Sequence, residues 1–167
     1  MIRQQIWTNL VNVKFKTIYL GHLISRNQKI SLWINIFLAV VSLSSFSAWT
    51  IWKILPGLFT ALVAVSNILM VVKPLLSFDK RIKELSEKLA RLEDVQFDYE
   101  KLWYHFETKA INEKDAGKMF FEIYEKQKNS LRTSSEIILS SNNKITGKSN
   151  SETDNYIRNH YGYNFKK

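Results

Sequence analysis

The chain has 167 residues, the size of one domain, and 24 Lys and Arg against 15 Asp and Glu give it a net charge of +9. There is no cysteine, which excludes disulfides, thiolate metal sites and cysteine nucleophiles together. Apolar residues make up 46% of the chain although its mean hydropathy is slightly negative, so they are concentrated in particular stretches.

Residues 1–29 read as a basic amphipathic juxtamembrane helix. Ile6, Leu10, Val13, Ile18 and Leu23 alternate with polar residues, and Arg3, Lys14, Lys16, Arg26 and Lys29 occur without a single acid. Two settings fit this pattern equally. The helix lies along an anionic inner leaflet with Trp7, Phe15 and Tyr19, or it packs on the cytoplasmic part of the same chain. Gly21–His22 is a candidate kink.

Residues 30–76 read as a two-span transmembrane hairpin. Ile30–Trp52 is a run of 23 residues without charge, and Ile54–Val72 a run of 19. A spanning helix needs about 20 apolar residues. Lys53, Pro56 and Gly57 predict a short turn between the spans. Five bases precede the first span, and Lys73, Lys80, Arg81 and Lys83 follow the second. Bases stay on the cytoplasmic side, so both termini are expected in the cytoplasm and the turn outside. A cleaved secretory signal is not expected, because its apolar region would be shorter and no second span would follow. Trp33 falls near the inner end of the first span, and Trp49 and Trp52 near the outer end.

The spans are not uniformly apolar. Ser31, Asn35, Ser42 and Ser45 share a face of the first span with Leu38. Either these groups hold the two helices together, or they line water in an oligomer with Leu38 as the gate. In the second span Gly57, Thr60, Ala61 and Ala64 form small-xxx-small pairs for close helix packing, and Asn67 lies one turn from Ala64.

Residues 77–139 read as a cytoplasmic antiparallel, coiled-coil-like helical hairpin. Ile82, Leu85, Leu89 and Leu92 open a 3–4 spaced seam that continues to Phe106 and is expected to hold an oligomer together. Asn112 with Asp115 predicts the start of the return helix, which carries Met119, Phe120, Ile123, Tyr124 and Leu131. Residues 140–167 read as a polar tail: a flexible Ser/Asn/Lys/Thr linker over 140–153, then an aromatic and basic end.

The composition speaks against an enzyme. His22, His105 and His160 are isolated, the five glycines form no phosphate loop, and the predicted spans hold no acid or lysine. No catalytic residue, cofactor or metal is expected. Trp103, Tyr104, Lys109, Arg158 and Tyr161 are candidates for contact with a ligand or partner, because aromatic and basic groups together can stack on bases and hold phosphates. For Trp103 a place in the core is the simpler expectation.

Three features together resemble the SLATT family of small bacterial two-span effectors: Phe15 to Lys29 leading into the first span, the Lys53–Gly57 turn, and the Asp79–Lys109 helix with Trp103–Tyr104 near its end. The likeness is one of layout. It covers about residues 10–140 and leaves out the polar tail from Ser140. Such effectors are encoded beside nucleotide-signal-generating enzymes in anti-phage conflict systems. The resemblance implies an all-α membrane protein of the bacterial inner membrane that forms a homo-oligomer, expected to be a tetramer. It implies perforation and depolarisation of that membrane on a nucleotide or oligonucleotide signal, or on contact with the co-encoded enzyme. The alternative is a passive anchor or scaffold that recruits a soluble partner through its cytoplasmic helices.

Overall fold

A computed structural model describes residues 1–47, 56–75, 78–132 and 143–162. The described residues form five α-helices and no strand: α1 (Ile2–Ser47), α2 (Pro56–Leu75), α3 (Phe78–Glu107), α4 (Glu113–Arg132) and α5 (Asn143–Tyr161). They divide into two compact units. One comprises Met1–Leu23 with Leu85–Lys167, and the other Ile24–Glu84.

The first unit is a four-helix arrangement with an apolar core. Ile6, Leu10 and Val13 of α1 are buried at the 4 and 3 spacing of one helix face. They join Leu85, Leu92, Val95, Tyr99 and Leu102 of α3, with Ala116, Phe120 and Ile123 of α4 and Ile157 of α5. Chain direction follows from the contacts. Trp7 packs on Trp103 with ring centroids 4.8 Å apart, and Arg3 meets Glu107 at 2.7 Å, so this part of α1 runs antiparallel to α3. Tyr99 contacts both Phe120 and Gln127, and Lys126 pairs with Asp98, which sets α4 against α3. Of the two settings that the sequence leaves open for residues 2–24, the structure shows the one inside the chain: the apolar face of this segment is covered by its own helices. The helix continues without interruption through Gly21–His22.

The α3–α4 connection forms where the sequence places it. The Ala110 amide donates to the His105 carbonyl, and Lys109 takes the left-handed φ of 56° that closes a helix C-terminus. Asn112 then caps α4. Its side-chain oxygen accepts from the Asp115 amide, and its side-chain nitrogen donates to the Asp115 carboxylate, in a reciprocal cap.

Two expectations are corrected here. Residues 143–153 are not a linker but the first part of α5, with Ser149 and Thr153 buried and Ile157 one turn further on. Composition hides this because two of the three buried positions are small and polar. Thr153 meets its own need by donating to the Ser149 carbonyl at 2.7 Å. Pro56 and Gly57, expected in the turn, instead belong to the first turn of α2. Proline suits that place because the amide it lacks would have had no partner within the helix. Lys53, Trp49 and Trp52 lie outside the described residues.

The second unit comprises the remainder of α1, the whole of α2 and the first turns of α3. Lys73 of α2 donates a hydrogen bond to the Asn35 side chain of α1. No single helix among the described residues is long and apolar enough to cross a membrane; one bent pair, Thr60–Pro74 followed by Phe78–Glu107, meets the length and composition.

Candidate functional site

Burial in the second unit is the reverse of burial in the first. Among its described residues the buried ones are Ile24, Asn27, Ser31 and Ser66, three of them polar. Large apolar side chains stand outward: Trp33 is 70% exposed, Val71 67%, Ile68 62% and Val40 58%, with Leu32, Ile36, Val65 and Met70 also exposed. Exposed apolar residues are ordinary one at a time, whereas a continuous face of them marks a surface made for an apolar partner.

The predicted polar stripe falls into this unit unevenly. Ser31 is buried. Asn35 is exposed, and its amide oxygen is taken by Lys73. Leu38 is half-buried. Ser42 is exposed, and its hydroxyl donates back to the Leu38 carbonyl at 2.8 Å, a bond within its own helix. Ser45 belongs to α1, but its side chain lies outside the described residues. On α2, Gly57, Thr60, Ala61, Ala64 and Asn67 are all exposed, and a side chain at Gly57 would meet nothing within 4 Å. The face of α2 that is covered carries Ser66, whose hydroxyl donates to the Val63 carbonyl. Sequence reasoning missed Asn27, Ser66 and Lys73. Lys73 was readable only as a flanking base; its reach to Asn35 depends on how the helices pair.

In the first unit, the predicted oligomer seam is mostly consumed by the chain's own fold. Leu85 and Leu92 are fully buried, while Ile82, from the second unit, and Leu89 are half-buried. The contact candidates separate in the same way. Trp103 is buried against Trp7, with the Arg3 guanidinium 5.4 Å from its ring centre. Tyr161 packs edge-on to Trp7 at 5.3 Å. Tyr104, Lys109 and Arg158 are exposed. Trp103 and Tyr161 thus share one aromatic cluster, and the other three are not gathered around it.

Next to that cluster lies a small polar network. Tyr156 donates to the Glu100 carboxylate at 2.7 Å, and the Lys14 ammonium lies 3.7 Å from the Tyr156 ring centre. Burial and the Glu100 charge raise the Tyr156 phenol well above its ordinary value, and burial raises Tyr161 to about 12. Burial lowers Lys14, with Glu100 and Glu93 opposing the shift. His22 meets Glu152 of α5 at 2.9 Å. These contacts fasten α5 to α1 and α3.

A groove of about 550 Å³ between α3 and α4 is lined by Arg91, Asp94, Glu122, Glu125, Lys126 and Asn129 among others, and is open and mixed in charge. A smaller one of about 300 Å³ beside it is spanned by the Asp98–Lys126 pair. Among the described residues no group of three or more His, Asp or Glu side chains could hold a metal ion. Neither a family model, nor a curated protein, nor a solved structure matches this chain.

Proposed function

We propose that the chain is an inner-membrane effector with both termini in the cytoplasm, and that copies of it assemble around their hairpins to conduct ions when triggered. The observation that carries the membrane part is the reversed burial of the Ile24–Glu84 unit, polar inside and apolar outside. In water such a unit would expose its aliphatic face, while in hydrocarbon that face is solvated. The uncharged runs Ile30–Trp52 and Ile54–Val72 support the same reading. On it the Met1–Leu23 and Leu85–Lys167 unit is the cytoplasmic part, where a nucleotide, an oligonucleotide or a co-encoded signal-generating enzyme acts. A tetramer is the proposed assembly. Half-buried Leu89 and exposed Phe97, Tyr104 and Phe121 offer apolar contact for it. The role needs no catalytic group.

In this reading Leu38 forms the apolar constriction, and Ser31, Asn35, Ser42 and Ser45 approach the axis as α1 rotates. A ring of leucines can exclude water, and a small rotation can replace it with hydroxyls. Leu38→Ser is expected to depolarise cells without a trigger, read with a membrane-potential dye at matched protein level. A Leu38→Ser variant that stays silent removes the gate.

The second reading, a passive anchor that recruits a soluble partner, is favoured by a specific observation. Asn35 is bonded to Lys73 and Ser42 to its own helix, so two of the stripe's polar groups already have partners within one chain. The same dye assay separates the two readings. Asn35→Leu abolishes toxicity while assembly persists if the stripe conducts, and changes only hairpin stability if the stripe is interhelical glue.

A further inference from the structure

The exposed side of α1 in the second unit has an order along its length. Arg26, Lys29, Trp33, Ile36 and Val40 follow spacings of 3, 4, 3 and 4, which place them on one helix stripe, and all five are exposed. From Arg26 to Val40 the stripe extends about 21 Å at the rise of an α-helix. It begins with two cations, passes through an indole and ends in aliphatic side chains. The neighbouring face does the reverse: Asn27 and Ser31 are buried, and Asn35, one turn on, is held by Lys73.

The charges of this unit are also out of balance. Between residues 24 and 84 the only acids are Asp79 and Glu84, against seven bases. In the first unit some of the cations find carboxylates: Arg3 with Glu107, Lys126 with Asp98, Lys148 with Glu152. Among the described residues Arg26, Lys29, Lys80, Arg81 and Lys83 form no ion pair. The Asn35–Lys73 bond puts the C-terminal end of α2 beside α1 within two turns of Lys29.

We infer that the Arg26–Lys29–Trp33 stripe is a binding surface for anionic phospholipid, with the two cations on the headgroup phosphate and Ile36 and Val40 along the acyl chain. This rests on the membrane reading above and deepens it. Cations alone would suit any phosphate. The continuation into Trp33 and the aliphatic residues suits a phosphate that carries a hydrocarbon tail, because a free nucleotide leaves that surface uncovered. Indole at the boundary fits the same order, apolar ring toward the chains and N–H toward the headgroups. Lys80, Arg81 and Lys83 add a diffuse attraction to the same leaflet.

The test uses the full chain reconstituted in phosphatidylcholine vesicles. Brominated phosphatidylglycerol or brominated phosphatidylcholine is added at matched mole fraction. Quenching of Trp33 is read as the difference between the parent and Trp33→Phe. The parent should be quenched several-fold more effectively by the anionic probe, since each base near an anionic surface is worth about a fivefold change in partition. Arg26→Gln with Lys29→Gln should remove most of that preference without changing quenching by phosphatidylcholine, and Arg26→Lys with Lys29→Arg should keep it. Equal quenching in the parent, or a preference undiminished in the glutamine pair, overturns the lipid surface and leaves the membrane reading standing. Trp33 quenched by neither probe overturns both.

Discussion

The two units of this chain obey opposite rules. Residues 1–23 and 85–167 bury Leu, Val, Ile and aromatic side chains and expose their charges, as a domain in water does. The described part of residues 24–84 buries Ile24 with the polar Asn27, Ser31 and Ser66 and exposes Trp33, Val40, Ile68 and Val71. One continuous helix, α1, takes part in both. Its first half is amphipathic in the ordinary sense and its second half in the inverted one. The lesson is that a helix face has no fixed meaning; which side is covered changes along one continuous helix.

The sharpest way to break this comparison is to truncate one residue from each unit. Leu92 is fully buried in the first unit, so Leu92→Ala is expected to cost about 2–5 kcal/mol. Val40 is exposed, so Val40→Ala should cost less than about 0.5 kcal/mol. Circular-dichroism melts in one detergent test the pair, and similar losses at both sites would end the distinction. Charge is the complementary probe. Val40→Lys and Ile68→Lys should each oppose insertion by about 2.5–3.5 kcal/mol at the centre of a bilayer and lower the fraction of chain that survives a carbonate wash of membranes. If that fraction is unchanged, the outward apolar face meets water rather than lipid.

Assembly can be probed without unfolding the first unit. Because Leu85 is fully buried, a lysine there would destroy the core, whereas half-buried Leu89 is the informative position. Leu89→Lys should lower the particle mass by light scattering and leave the helix content intact. An unchanged mass shows that the assembly does not use α3 at this level.

Alkaline pH should loosen only the first unit. Tyr99, Tyr156 and Tyr161 all have phenols raised chiefly by burial, Tyr161 to about 12. A group whose folded value is raised contributes stability that is present below its unfolded value, about 10 for tyrosine, and is lost as pH rises through the folded one. Lys126, raised by its bond to Asp98, acts in the same sense. Lys14, lowered by burial, acts in the opposite sense and softens the onset. Melting temperature should therefore fall between pH 10 and 12, and Tyr156→Phe should flatten the fall. An equally steep decline in that variant would assign the lability to other groups.

The smallest effect is expected at Ser149. Its hydroxyl is buried without a partner, so Ser149→Ala removes an unmet need and should be neutral or stabilising by up to about 1 kcal/mol. A clear loss of stability would mean that the hydroxyl is bonded in solution. Because this residue is buried, a cysteine placed to report the cytoplasmic side belongs at exposed Ser151, with Gly57→Cys for the opposite side. Labelling of Ser151→Cys but not Gly57→Cys by an impermeant reagent from outside would reverse the proposed orientation.

The residues by themselves determined the helices where period and punctuation agree. Ile82, Leu85, Leu89 and Leu92 recur at helical spacing, and Asn112 with Asp115 marks the start of α4, so α3, α4 and the bend between them were legible. The uncharged runs likewise marked the segments that became the second half of α1 and α2. Tertiary structure alone decided three things. α5 was hidden because its seat is lined by Ser149 and Thr153, whose polarity reads as a linker until a neighbouring helix comes close enough to need small side chains. Arg3 to Glu107 and His22 to Glu152 join residues more than 100 positions apart, and no local pattern encodes such pairs. Asn35 could be read as pore lining or as glue from its spacing alone. Its bond to Lys73 depends on the register of α1 against α2, which is set by the packing of whole helix faces and not by any single residue.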